Sequence, residues 1–241
     1  MLYTKPGITK QIMFSCNNKP AENDGVLVLF SGGMDSIAAA VLLSRKFATV
    51  RLLTCHCPYI FGCRACTAAR VRDIKAALPE TVISQTIEDT FNSFRRIGPL
   101  KAAIGARSSL LVCTVCKMAM HLKAIEVCRR ERLSYASSGI GVREQQTFPD
   151  QLPGLEERVN QLYADAGIDW LSPLETYTKK QVKELLVPLG LFPKVRIPRC
   201  LIKYFQELWW FYFGFPKDER ILDWYDSALP LLKQAAEDSG V

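Results

Sequence analysis

One short turn near the start of the chain combines two hydroxyl groups, two glycines and a carboxylate. An apolar run over residues 26–30 precedes it and helix formers follow it, which predicts a strand, a tight turn and a helix. The N–H groups and the positive dipole end of such a helix suit an anion, and glycine lets a phosphate approach closely. We therefore predict a phosphate-binding loop made of Ser31, Gly32, Gly33, Met34, Asp35 and Ser36.

The carboxylate of Asp35 needs a separate explanation in an anion site. A negative side chain opposes a phosphate unless it holds a cation between them. We assign Asp35 to Mg²⁺ or to the orientation of the loop.

A C-x-x-C pair, Cys113 and Cys116, precedes Lys117 at the start of a predicted helix. Residues three apart share a helix face, and a helix N-terminus lowers a thiol pKa, so both thiols can serve one ion or one sulfur. Cys200 is distant in sequence but falls where the chain can return to the same site. Three cysteines with an open position suit a 4Fe-4S cluster with one free iron. The alternative is that these are small buried apolar side chains.

A denser group holds four cysteines and a histidine within twelve residues. This composition suits a tetrahedral Zn²⁺ site. We predict Cys55 or Cys57 with Cys63 and Cys66 as its ligands, completed by His56 or a cysteine from elsewhere. The spacing leaves open a single four-cysteine site formed by Cys63 and Cys66 with the later C-x-x-C pair.

The elements that must position these residues alternate along the chain. Strands are predicted over 26–30, 49–54, 81–87 and 134–138, and helices over 35–47, 67–78, 89–97 and 113–132. Such alternation predicts an α/β fold with a doubly wound, mostly parallel, Rossmann-like sheet. Ligands of such sheets bind beyond the carboxyl ends of the strands, which is where the SGGMDS turn falls.

The 241 residues suit one large domain with a small appendage. We divide the chain into a lead-in over 1–25, a catalytic domain over 26–200 and an aromatic helical C-terminal extension over 201–241. The middle segment holds 24 Lys and Arg against 15 Asp and Glu, and the extension holds 4 against 7. The basic segment favours a polyanionic partner such as RNA.

The chain shows no apolar signal-peptide core and no apolar run long enough to span a bilayer. We therefore expect a cytoplasmic protein without membrane association. Disulfides are rare in that reducing compartment, which favours metal or sulfur chemistry for the nine cysteines. The aromatic run over 208–213 is explained by core packing, by a homodimer interface or by a surface that stacks on bases.

The SGGMDS turn resembles the pyrophosphate loop of the PP-loop ATP pyrophosphatases, which cleave ATP between its α and β phosphates. Residues 113–120 and 135–147 resemble the catalytic part of tRNA 4-thiouridine synthetases, and 171–191 resembles a segment common in PP-loop enzymes. The resemblance covers about 26–192 and implies an adenine nucleotide alpha hydrolase-like fold. It also implies that Gly139 lines the ATP site and that sulfur chemistry belongs to Cys113, Cys116 and Cys200. The RNA-binding region of those synthetases has no counterpart in the 25 residues before the first strand.

The predicted function is ATP-dependent sulfur transfer, most simply onto a tRNA base. A carbonyl oxygen of the substrate is adenylated, pyrophosphate leaves, and sulfur displaces AMP. The sulfur comes from a donor and is carried as a cysteine persulfide or as sulfide on a cluster. The alternatives are a PP-loop enzyme that amidates a small molecule and uses its cysteines for structural zinc, and a non-catalytic nucleotide- or RNA-binding protein.

Overall fold

The computed structural model describes residues 24–56, 63–89, 110–140, 153–192 and 218–237. Within them lies one five-stranded sheet in the order β3-β2-β1-β4-β5, and every adjacent pair of strands is parallel. The strands are β1 (Gly25–Leu29), β2 (Thr49–His56), β3 (Val82–Asp89), β4 (Tyr135–Ser138) and β5 (Asp169–Leu171). The all-parallel α/β sheet confirms the predicted fold class.

Helices connect or follow the strands. They are α1 (Met34–Leu43), α2 (Cys63–Ala77), α3 (Leu110–Glu131), α4 (Pro153–Ala164), α5 (Lys179–Leu186) and α6 (Asp218–Glu237). A short 3₁₀ turn, Val187–Leu189, extends α5. The side chains of Thr178 and Gln181 form a reciprocal capping box at the start of α5, as their spacing predicts.

Both faces of the sheet are covered. Successive residues of β1 alternate between them: Val26 and Val28 join one core, and Leu27 joins the other. The first side, here the α1 face, is packed by α1, α2 and α5. The second, here the α3 face, is packed by α3 and α4, with α6 lying against them. The long helix α3 thereby becomes part of the core.

The buried position of α1 explains why its sequence is apolar on every side. Each residue from Ile37 to Leu43 is at most 2% exposed. Because a helix that is buried on every side cannot move freely, its first turn is held in a fixed place at the end of β1. The SGGMDS turn is therefore attached to the most buried helix of the described structure.

The structure shifts several predicted boundaries and adds one strand. α1 ends at Leu43 instead of residue 47, β2 continues to His56, and α2 begins at Cys63 instead of residue 67. β5 is a strand that was not predicted. Asp89 ends β3 instead of starting a helix; the rest of that predicted helix lies outside the described residues. The helical extension predicted over 201–241 is represented by α6, and the aromatic run lies outside the described part. No helix in the described ranges is long and apolar enough to cross a membrane.

Candidate functional site

The SGGMDS turn lies between β1 and α1, as predicted. Gly32 adopts a left-handed conformation with φ of +72°, which glycine tolerates best, whereas Gly33 is extended with φ of −75° and ψ of 165°. Positive φ is therefore used by Gly32 and not by Gly33. A Cβ on Gly33 would meet only the Ser31 hydroxyl, at 3.3 Å. Gly33 thus leaves space where a ligand can approach the backbone.

The two serines of the turn hold it in shape. Ser31 Oγ accepts a hydrogen bond from the Gly33 N–H at 3.3 Å and lies 3.3 Å from Ser36 Oγ. The buried Ser36 hydroxyl donates to the Gly33 carbonyl at 3.0 Å. Ser31 is exposed and available to a ligand, whereas Ser36 is committed to the turn itself.

The start of α1 faces outward from this turn. Its N-cap is Gly33, which supplies no capping side chain, and the first backbone bond inside the helix runs from the Ile37 N–H to the Gly33 carbonyl. The N–H groups of a first helical turn precede that ladder and point away from the helix. Asp35 is exposed in the same turn. The arrangement offers N–H donors for an anion and a carboxylate for a cation at one place.

Gly139 closes the other side of the site. It follows β4, the neighbour of β1 in the sheet, and a Cβ built on it would lie 2.5 Å from the Ser36 nitrogen and 2.6 Å from the Asp35 carbonyl carbon. Only glycine fits at that distance from backbone atoms. The Ser138 hydroxyl accepts a bond from the Ile140 N–H at 3.3 Å and supports the turn. The carboxyl ends of β1 and β4 therefore meet at the first turn of α1.

This meeting point is the topological switch of the sheet. The chain moves outward from β1 to β2 and β3 on one side, and β4 and β5 follow on the other. In open parallel sheets the crevice between the two diverging connections is the usual ligand site. The fold and the SGGMDS turn thus point to the same location.

A buried hydrogen-bonded chain fixes the peptide that enters the turn. Thr54, which is 1% exposed, donates its hydroxyl to the Phe30 carbonyl at 3.0 Å. Gln85 Nε2 donates to Thr54 Oγ1 at 3.0 Å, which leaves the threonine proton for the carbonyl. Because the Phe30 carbonyl and the Ser31 N–H belong to one planar peptide, this chain orients that N–H. The local sequence pattern gave no sign of this contact between β1, β2 and β3.

The cysteines occupy separate elements. Cys55 lies near the end of β2 and packs into the α3-face core, whereas Cys66 lies in the first turns of α2, on the α1 face. Cys116 lies in the N-terminal third of α3 and is half-buried. None of the three forms a disulfide with another described cysteine. Cys63 lies on α2 and Cys113 on α3, but their side chains are not described. Cys57 and Cys200 lie outside the described residues.

No three of the described His, Cys, Asp and Glu side chains are grouped closely enough to hold a metal ion. The predicted cluster and zinc sites depend on Cys57, Cys200 and the side chains of Cys63 and Cys113, which fall outside that search. Alternation along β2 does separate two of the proposed zinc ligands, because Cys55 and His56 point to opposite faces. They cannot both be ligands of one site while β2 keeps this conformation.

His121 is a buried polar residue. A histidine in this part of the long helix is more simply expected to be partly exposed, yet His121 is 4% exposed, and its Nδ1 lies 3.2 Å from the Tyr163 hydroxyl. Burial, aided by the charge of Lys117, lowers the pKa of His121 to about 3. Its spacing of seven residues from the buried Cys128 is a usable signal, since such residues share a helix face. Burial, followed by the charge of Glu131, raises the pKa of Cys128 to about 12, as expected for a thiol in the core.

The fold is supported by comparison with one solved structure. No protein-family model matches the sequence, and no curated protein matches it. A crystal structure of a 4-thiouridine synthetase in complex with RNA and with bound ATP is similar at a TM-score of 0.59 and 17% identity. The match covers 89% of this chain and 53% of the synthetase, so the chain spans about half of that protein. This likeness confirms the fold that the SGGMDS resemblance implied.

Two further structures are similar at lower scores. A predicted subunit of tRNA methyltransferase from Methanocaldococcus jannaschii has a TM-score of 0.48 and 17% identity, over 82% of this chain and 91% of that one. The U34-tRNA thiolase NcsA from Methanococcus maripaludis, solved with its 4Fe-4S cluster, has a TM-score of 0.49 and 14% identity, over 87% and 73%.

Proposed function

We propose that this chain is an ATP pyrophosphatase-type sulfurtransferase that forms AMP and thiolates an RNA base. The observation that carries the proposal is the backbone-built turn at the start of α1, which Gly139 meets at the switch point of the sheet. A synthetase with this fold has been captured with RNA and bound ATP, which supports the same type of substrates here.

ATP is the first substrate. The Ser31 hydroxyl and the N–H groups of the SGGMDS turn would bind its β and γ phosphates. These donors would stabilise the charge that develops when pyrophosphate leaves, an electrostatic role that needs no movement of the turn. A carbonyl oxygen of the base attacks the α phosphorus, the bond to the pyrophosphate oxygen breaks, and an adenylated base results.

Asp35 would hold Mg²⁺ beside the phosphates. It fits this role because its carboxylate is exposed in the same helical turn as the N–H donors, and oxygen ligands are those that Mg²⁺ prefers. A bound Mg²⁺ would neutralise phosphate charge. Without a cation, the carboxylate would repel the ligand that the turn attracts.

Sulfur transfer completes the reaction. We propose that Cys113, Cys116 and Cys200 bind the sulfur that an external donor supplies and carry it to the activated base. Cys116 fits this role because its thiol is only half-buried. Sulfide bonds to the activated carbon, and AMP leaves with the oxygen of the original carbonyl, so the exchange consumes no oxidant or reductant. The same thiols are of the type that holds a 4Fe-4S cluster, which would supply a site for sulfide, and the Cys55–Cys66 group is of the type that holds Zn²⁺.

The test uses the full-length protein purified without oxygen, with ATP, Mg²⁺, sulfide and unfractionated tRNA. We expect pyrophosphate and AMP, together with a thiolated nucleoside detected by mass spectrometry after digestion. Asp35→Asn should lower pyrophosphate release by about 100-fold, the loss typical of one electrostatic catalytic group, with little change in thermal stability. Release of ADP and inorganic phosphate, or turnover without a thiolated nucleoside, would contradict the proposal.

A further inference from the structure

The helices on the two faces of the sheet differ in charge. On the α1 face, α1, α2 and α5 together hold seven Lys and Arg against three Asp and Glu. On the α3 face, α3, α4 and α6 together hold seven against nine. The excess of positive charge is therefore concentrated on one side of the described structure.

The cations of α2 lie on one exposed stripe. Arg64, Arg72 and Lys75 are exposed, and their spacing of eight and three residues places them within about a quarter of the helix circumference. None of the three forms an ion pair with another described residue. Lys180 and Lys183 add exposed charge on α5, although Lys180 lies 4.0 Å from Glu184. Arg64, Arg72 and Lys75 are therefore the cations best placed to meet an external anion.

Three cations of the α3 face are already neutralised. Arg158 makes a two-pronged contact with Asp226, at 2.6 and 2.7 Å, which joins α4 to α6. Arg130 Nη2 lies 2.8 Å from Glu88, and Lys123 pairs with Glu126. The exposed Arg129 and Arg132, and Lys233, form no ion pair with a described residue. A polyanion approaching this face would meet carboxylates as well as cations that already have partners.

We propose that the α1 face, through α2 and α5, binds the phosphate backbone of the RNA substrate. This inference rests on the proposed function and names the surface that it uses. The helix α2 starts at the sheet edge where β2 ends, the edge that also carries the SGGMDS turn. A backbone held along α2 therefore leads toward the adenylation site. Contacts of this kind position RNA without reading its sequence.

The experiment measures binding of unfractionated tRNA between about 50 and 200 mM KCl, where each lost phosphate contact lowers the salt slope by a little under one. Arg72→Glu/Lys75→Glu should weaken binding by about tenfold or more and lower the slope by about 2. Arg129→Glu, an equally exposed change on the α3 face, should have little effect. ATP affinity should stay at the wild-type value in both variants.

Three outcomes would overturn the inference: equal losses in the α2 and Arg129 variants, an unchanged slope in the α2 variant, or loss of binding to phosphatidylserine vesicles with RNA binding intact. The last would assign the surface to a membrane instead. If wild-type protein binds tRNA but the α2 variant is unaffected, only this inference fails. If the wild-type protein neither binds tRNA nor thiolates it, the proposed function fails as well.

Discussion

Two regions at the carboxyl edge of the sheet are built in different ways. The region around β1 and β4 is formed by backbone: glycine conformation, the start of a helix, and the close approach of Gly139 to Asp35 and Ser36. The region that carries the cysteines is formed by side chains from β2, α2 and α3, which lie on both faces of the sheet. Residues 31–36 and Gly139, which form the first region, all lie in the described structure, whereas the cysteine region also depends on residues outside it.

This difference determines how mutations should act. Apart from the proposed Mg²⁺ ligand Asp35, a site built from backbone tolerates changes of side-chain chemistry but not of space. A side-chain site tolerates small changes of packing but loses its chemistry when one group is replaced. The two regions should therefore be separable, with ATP binding and cleavage assigned to the first and sulfur transfer to the second.

The largest effect is expected from Gly139→Ala. The new methyl group would lie 2.5 Å from the Ser36 nitrogen, so the turn must move, at a cost of about 1–3 kcal/mol in unfolding free energy. ATP affinity, measured by calorimetry on folded protein, should fall by about 100-fold, and thiolation should fall with it.

The matched control for Gly139 is Gly190→Ala. Gly190 has a φ of +69° and open space around its Cβ position. Alanine there should cost about 1 kcal/mol of stability through backbone strain and leave ATP affinity unchanged. If both variants bind ATP equally, Gly139 is a packing residue and not part of the site.

Cys116→Ser tests whether sulfur transfer can be abolished while ATP cleavage remains. Serine preserves the size of the side chain but removes the thiolate. Thiolated nucleoside should fall below detection, while the initial rate of pyrophosphate release stays within about threefold of wild type, because the thiol takes no part in adenylation. Parallel loss of both activities would show that the two regions act as one.

The sequence predicted the backbone region well because its determinants are contiguous. A strand, two glycines and a helix start within about ten residues fix the turn, and the structure places it as expected. The cysteine region could not be predicted in the same way, since spacing does not show which face of the sheet each thiol reaches. Cys55 shows this: two more residues of strand than predicted assign it to the α3-face core. Likewise, the contact of Thr54 with the Phe30 carbonyl depends on strand order, which no local pattern encodes.

Thr54→Val should have an intermediate effect. Valine keeps the shape of the side chain but leaves the Phe30 carbonyl without the hydroxyl donor, at a cost of about 1–3 kcal/mol. If this bond orients the Ser31 N–H, ATP affinity should fall by about tenfold, equal to about 1.4 kcal/mol.

Tyr163→Phe is the control for Thr54. It also removes a buried hydroxyl from a hydrogen bond, but on the α3 face. It should lower stability by about 1 kcal/mol without changing ATP affinity. Equal ATP affinities in the two variants would show that Thr54 and Gln85 do not orient the Ser31 N–H for ATP binding.

The smallest effect is a pH dependence that belongs to the cysteine-bearing helix α3. The pKa of His121 is about 3 when folded and near 6.5 when unfolded, so the unfolded chain takes up the proton first. Stability is therefore full above about pH 6.5 and falls toward acid pH, by at most about 1.4 kcal/mol per pH unit from this residue. Urea unfolding between about pH 6.5 and pH 5 should show a shallower decline in His121→Gln than in wild type. Parallel declines would mean that His121 is accessible to protons in the folded protein.

We propose that the SGGMDS turn supports cleavage of ATP between its α and β phosphates. The most direct measurement follows ATP labelled on the α phosphate, with tRNA and Mg²⁺ but without a sulfur donor, and separates the labelled products. We expect labelled AMP, free or attached to RNA, with one pyrophosphate per ATP consumed, and loss of both products in Gly139→Ala. Labelled ADP with release of inorganic phosphate would contradict this proposal.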